Sequence, residues 1–219
     1  MSWGQKPTGP GTTGLTAWGR PGFNHGWRFD GNLVATQGIT VGYLGYGTWQ
    51  NIQSMRVNGD GWLLFPQNCT FAACLGTNCA GNGFTLDYGI AACQFITCHA
   101  YSNDGWGFQV RQSGGHGWGA SAQPQGLHFL SGIVEQGGSD EFSGDPLGGF
   151  HIREGIFITF ERFEFAPTYG DAALVLTPST DHGIVGRIVL RTAGFRMSTS
   201  MPTKTASRSP WVGPTSRCT

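Results

Sequence analysis

Nine of the chain's 13 acidic residues fall between positions 135 and 181, alongside only two bases, Arg153 and Arg162. Cleaving a glycosidic bond takes two carboxyl groups, about 5–5.5 Å apart in a retaining enzyme and about 6.5–9.5 Å apart in an inverting one. Glu135, Asp140, Glu141 and Asp145 are the residues that could form such a pair, with Glu154, Glu161 and Glu164 following them. The same carboxylates equally suit a solvated surface, or a hard cation such as Ca²⁺ held through oxygen ligands, although no EF-hand spacing is present. A second set is aromatic. Trp106, and His116 with Trp118 in the run Gly114-Gly-His-Gly-Trp118, offer flat rings with polar handles on which a sugar could stack. They can as well cap the fold or pack against a neighbouring subunit. A third set is sulfur: five of the six cysteines lie between positions 69 and 98. Their spacing is Cys-x4-Cys, without the Cys-x-x-Cys pairs typical of zinc sites. Buried thiols behave as small hydrophobes, so a reduced cysteine ladder is the expectation, with disulfides between coils or zinc as alternatives. No Gly-rich phosphate loop, His-Glu-x-x-His or Gly-x-Ser-x-Gly motif occurs. No cofactor and no metal are expected.

The elements that carry these residues announce themselves by repetition. Cys69-Thr-Phe71-Ala-Ala-Cys74 is followed 24 positions later (93 − 69) by Cys93-Gln-Phe95-Ile-Thr-Cys98. Gly81/Gly105, Gly83/Gly107, Phe84/Phe108 and Leu86/Val110 keep that offset. Short apolar strands at a fixed period of this size, separated by Gly/Asn turns, define a solenoid whose units bury their apolar faces on one another. The step from Phe95 to Phe129 is 34, an insertion of 10 around residues 113–125; that from Phe108 to Phe150 is 42, which leaves a further 8 around residues 137–148. Within strands, Phe84, Leu86, Phe108 and Val110 point one way and Thr85 and Gln109 the other. In Ile158-Thr-Phe160-Glu-Arg-Phe163-Glu-Phe165 the alternation slips between Glu161 and Arg162, marking a bulge or corner. Asn82-Gly83 and Asn103-Asp104-Gly105 are expected to turn the chain by positive φ or local side-chain bonds.

Composition agrees. Gly supplies 37 of 219 residues, about 17 % against roughly 7 % in ordinary proteins, which disfavours long helices. Net charge is zero: residues 1–134 carry five bases and four acids, and residues 182–219 six bases and no acid. That balance argues against a nucleic-acid binder. No stretch approaches 18 apolar residues, so no membrane insertion is expected, and the first residues show no basic-then-apolar signal segment. Three parts follow: an extended attachment segment over 1–25, a solenoid over 26–195, and a Ser/Thr/Pro-rich basic tail over 196–219. Trp3, Trp18 and Trp211 sit in stretches that cannot bury them locally, which marks them as oligomer-interface residues. Trp211-Val212 could dock on a neighbour or on the last coil.

The Cys-x-Phe-x-x-Cys…Asn-x-x-Gly-x-Gly-Phe coil resembles the right-handed, single-stranded parallel β-helix of the pectate-lyase-like superfamily, most closely as built into bacteriophage tailspikes and tail fibres. The resemblance spans Gly26 to Phe195. It implies an all-β fold, a commonly trimeric assembly, and a role that ranges from polysaccharide lyase and glycoside hydrolase to non-catalytic virion adhesin. No catalytic signature of the family can be placed on this chain. The expectation is a structural virion protein (tail fibre, tailspike or head-decoration subunit) folded in the host cytoplasm, binding itself, other virion proteins and host surface glycans. The rival classes are a carbohydrate-cleaving enzyme on the same scaffold and a β-helical module of a bacterial adhesin.

Overall fold

The structure is a computed structural model that describes residues 15–18, 23–111, 123–135, 147–166, 173–177 and 185–195, without the side chains of 15–18, 23, 43–44 and 195. Every described strand lies in one of three parallel sheets of seven strands. The first face stacks Leu15–Trp18, Gln37–Gly45, Asp60–Gln67, Phe84–Leu86, Trp106–Val110, Gly148–Ile152 and Leu174–Leu176. The second stacks Phe23–His25, Thr48–Gln50, Thr70–Ala72, Gln94–Ile96, Gln125–Leu130, Gly155–Glu161 and Val185–Arg191. The third stacks Arg28–Asp30, Gln53–Met55, Leu75–Thr77, His99–Tyr101, Ile133–Glu135, Glu164–Phe165 and Gly194–Phe195. The chain visits the faces in turn, so one strand of each makes a coil and seven coils make an all-β solenoid.

The register is the one the repeat sets. Phe84 pairs with Phe108 and Phe71 with Phe95, each 24 apart. Phe95 pairs with Phe129 and Phe108 with Phe150, across both insertions. The rings face inward and stack: Phe71–Phe95–Phe129–Phe160 at 5.0, 4.8 and 5.0 Å on the second face, and Phe84–Phe108–Phe150 at 4.6 and 5.2 Å on the first. The two ladders meet edge-on, as between Phe108 and Phe129 at 5.7 Å and 79°, the geometry that aromatic quadrupoles favour. Because parallel in-register strands repeat every ~4.8 Å, an aromatic column is continuous at stacking distance.

Corners from the second to the third face follow one recipe: a residue in the left-handed region, then a buried one. Asn51-Ile52, Ala73-Cys74, Thr97-Cys98, Ser131-Gly132 and Arg162-Phe163 all do this, with φ between 50° and 53° at the first position. Such a conformation is costly for Ala, Thr or Arg. It is held because the corner amides join the ladder: Ala73 N–H donates to Ile96 O, Thr97 N–H to Leu130 O and Arg162 N–H to Arg191 O. The expected corner at Arg162 is therefore present. Asn82 and Asn103 are not positive-φ turns. Both are buried, and Asn103 accepts from Cys79 N–H at 3.1 Å and donates to Gly76 O at 3.1 Å, tying its coil to the one before. The left-handed residues that follow the third-face strands Leu75–Thr77 and His99–Tyr101 are instead Asn78 and Ser102.

One reading of the N-terminal third changes. The coils reach back before Gly26: Leu15–Trp18 pairs with Ile39–Gly42 at the same offset of 24. Gln37–Gly45 and Thr48–Gln50 are both strands, the first with a register shift between Gly42 and Gly45. Pro7, Pro10 and Pro21 around Leu15-Thr-Ala17 hide the short alternation there.

Cys69, Cys74, Cys79, Cys93 and Cys98 are free thiols, each at most 1 % exposed. Cys69 lies under Cys93 and Cys74 under Cys98, since Thr70 pairs with Gln94 and Leu75 with His99. Burial pushes the Cys79 thiol up to about 12. Burial and then the Cys74 thiol raise Cys98, while the shared thiol hydrogen bond raises Cys93 and lowers Cys69. Among the described residues no three His, Cys, Asp or Glu side chains gather as a metal site would require.

Candidate functional site

Three columns of side chains point outward on the first face. Three successive coils open this face with an outward residue, Asp60, Asn82 and Trp106, followed by a glycine. At Gly107 a side chain has no room: a Cβ would lie 2.1 Å from Val134 Cγ2 and 2.9 Å from Gly149 O. Between the inward pairs comes the second column, Thr85, Gln109 and His151, held in register. After them comes the third, Asp87, Arg111 and Arg153.

These columns form one hydrogen-bonded array. Asp60 Oδ1 accepts from Asn82 N–H at 2.8 Å and Oδ2 from the Thr85 hydroxyl at 2.8 Å. Asn82 Nδ2 donates to Thr85 Oγ1 at 2.9 Å and to Gln109 Oε1 at 3.2 Å. Its Oδ1 accepts from Trp106 N–H at 2.8 Å. Asp87 Oδ1 accepts from Tyr88 N–H at 2.7 Å and Oδ2 from Arg111 Nε at 3.2 Å. Arg111 also donates through Nη1 to Gln109 Oε1 at 3.2 Å, and its Nη2 stands 3.9 Å from Asp60 Oδ2. All four oxygens of the two aspartates thus accept from protein donors.

Toward the later coils the array opens to solvent. Gln109 Nε2 faces His151 Nδ1 at 3.2 Å, and His151 Nε2 faces Thr177 Oγ1 at 2.5 Å. A glutamine amide nitrogen only donates, so neutral His151 carries its hydrogen on Nε2. Burial, and then the nearby Arg153 guanidinium, hold its pKa below the usual histidine value. The half-buried Trp106 ring lies 4.5 Å from the His151 ring, tilted by 37°. Thr177 and Arg153 are exposed. Chemically this is a tilted aromatic pair rimmed by an amide, a hydroxyl and a guanidinium, suited to holding a hydroxylated ligand through stacking and directed hydrogen bonds.

Of the residues the sequence singles out, Trp106 lies at this place. Glu135 ends the third-face strand Ile133–Glu135, exposed and paired with Tyr101. Trp18 belongs to the first strand of the first face, opposite Gly42. Asp140, Glu141, Asp145, His116, Trp118, Trp3 and Trp211 lie outside the described residues. The two insertions leave and rejoin beside the site: one follows Arg111, and the other precedes Leu147 and Gly148. His99 occupies the Leu75 position of the next coil, half-buried, with its pKa lowered by burial and partly restored by Glu135. His151, Arg111, Asp60 and Asp87 are not in the sequence reading. The signal for His151 is present in Phe150-His-Ile152, which repeats Phe84-Thr-Leu86 and Phe108-Gln-Val110 with the middle residue outward.

The fold and site define a three-faced parallel β-solenoid with one hydrogen-bonded polar face. No family model matches the chain, and neither a curated protein nor a solved structure is found to match it.

Proposed function

We propose that this chain is a non-catalytic attachment protein that binds surface carbohydrate. In this reading it is a right-handed, single-stranded parallel β-helix of the bacteriophage kind: a tail-fibre, tailspike or head-decoration subunit. One observation carries the binding role. The Trp106–His151 pair sits on a polar face whose two aspartates, half-buried Asp60 and buried Asp87, already accept a hydrogen bond at every oxygen. Such carboxylates brace a surface; they are poorly placed to exchange protons with a substrate. Right-handed crossovers are the rule for chains that return to a parallel sheet, which supports the hand. Thiols kept free suit folding in a reducing cytoplasm before release. The assembly in this proposal is a homotrimer that buries Trp3 and Trp18 and meets other virion proteins.

A glycan array with the purified protein tests the binding role. Trp106→Ala should weaken retention on the bound glycan at least about tenfold, equivalent to about 1.4 kcal/mol, with the coils intact by circular dichroism. Binding unaffected by Trp106→Ala would overturn the site. Release of reducing ends by the wild type, abolished when Glu135, Asp140, Glu141 and Asp145 are all replaced by Ala, would replace the attachment role with a polysaccharide-cleaving one.

A further inference from the structure

The last described coil exposes what the coil before it buries. Leu174 and Leu176 continue the columns of Phe150 and Ile152, and Ile188 and Leu190 those of Ile158 and Phe160. Those four earlier residues are all 0 % exposed, whereas Leu176 is 48 % and Leu190 45 % exposed. Leu174, Ile188 and Ala193 are half-buried beside them. The strands that carry them, Leu174–Leu176, Val185–Arg191 and Gly194–Phe195, are also the outermost of all three sheets. Among the described residues this end of the solenoid is therefore an apolar plate whose strands pair on one side only, the combination that templates aggregation unless it is covered.

We infer that the plate is covered by the chain's own residues 196–219, with Trp211 and Val212 seated on Leu176 and Leu190. The segment starts on the rim of the plate, directly after Phe195. At least 24 residues follow that position (219 − 195), enough for one further turn at the step that separates Phe84 from Phe108. It carries Met197, Met201, Trp211 and Val212 as apolar groups and Pro202, Pro210 and Pro214, which suit a covering segment better than another ladder strand. Being tethered, it meets the plate at an effective concentration in the millimolar range. A second copy brings no such advantage, and a head-to-tail contact between copies runs on as an open filament unless its rotation closes a ring. This assigns Trp211 to its own chain rather than to a neighbour, and is independent of any glycan bound near Trp106.

Amide hydrogen exchange on the 219-residue chain, the chain shortened after Phe195, and full-length Trp211→Ser tests this. The expected result is exchange in Leu174–Leu176 and Val185–Phe195 that is at least about tenfold faster in the shortened chain and accelerated in Trp211→Ser. Phe84–Leu86 and Trp106–Val110 should be unchanged and so report that the coils remain folded. Equal exchange in the full and shortened chains overturns the inference. So does protection in the full chain that grows with protein concentration together with native mass, since a second copy would then be the cover.

Discussion

Replacing Phe95 by Ala removes the middle ring of the longest aromatic column. Phe95 is 0 % exposed and stacks on Phe71 at 5.0 Å and Phe129 at 4.8 Å. Losing about 150 Å² of buried apolar area at about 25 cal/mol per Å² costs about 4 kcal/mol. Two interrupted stacks add about 0.5–1.5 kcal/mol each. Burial already present in the unfolded chain reduces the total, which leaves about 4–5 kcal/mol, at the upper end of Phe→Ala substitutions in cores. Typical domains have only about 5–15 kcal/mol to lose. Phe95→Leu, which refills most of the space, should cost about 1.5 kcal/mol. Leu147→Ala, at a site 56 % exposed, should stay within about 0.5 kcal/mol. Urea denaturation followed by circular dichroism measures all three. A Phe95→Ala cost below about 1 kcal/mol, or a Leu147→Ala cost as large as that of Phe95→Ala, would refute the argument that inward stacking holds the coils together.

Denatured without reductant, the chain should yield at least four free thiols, from Cys69, Cys74, Cys93 and Cys98; fewer would mean that coils are cross-linked. In the native chain the same thiols should react far more slowly with a thiol reagent, since each is at most 1 % exposed. His151 should make stability depend on pH. Its folded pKa lies below the ordinary 6.5, so the unfolded chain binds more protons as pH falls through about 6.5, and stability is full above that point and declines below it. His151→Gln should flatten that decline in melting curves taken between about pH 5 and 7.5. A decline of undiminished slope in the variant would show that the proton is taken up elsewhere.

What the sequence disclosed was the inside. Phe71, Phe84, Phe95 and Phe108 repeat because each inward position must match the one stacked on it, and the insertions of 10 and 8 can be counted because the register resumes after them at Phe129 and Phe150. The outside follows no such constraint. Down the second outward column the residues run Leu63, Thr85, Gln109, His151. Partners such as Asp60 and Thr85, 25 positions apart, share no local motif. Of the site, only Trp106 drew notice by its type. The corners at Ala73 and Thr97 escaped for another reason. Neither residue type has much intrinsic preference for positive φ, and it is the ladder bonds of neighbouring coils that place them there.

The spacing of five from Cys69 to Cys74 to Cys79, and from Cys93 to Cys98 to Asn103, has the same origin. A three-residue strand plus a two-residue corner brings the buried corner position back every five residues. The corner column running through Cys74 and Cys98 reads Ile52, Cys74, Cys98, Gly132, Phe163, all buried. Where the column carries Gly132, Phe163 of the next coil fills the space, so close that a Cβ on Gly132 would meet its ring at 2.7 Å. Volume is thus balanced along the column rather than within one coil, which is how Cys, Gly and Phe can occupy equivalent corners of one core. Outward positions are joined by hydrogen bonds rather than by packed volume. A change at His151 or Arg153 therefore leaves the stack behind it in place, and under the proposed binding role the first face could vary its ligand while the interior stays fixed.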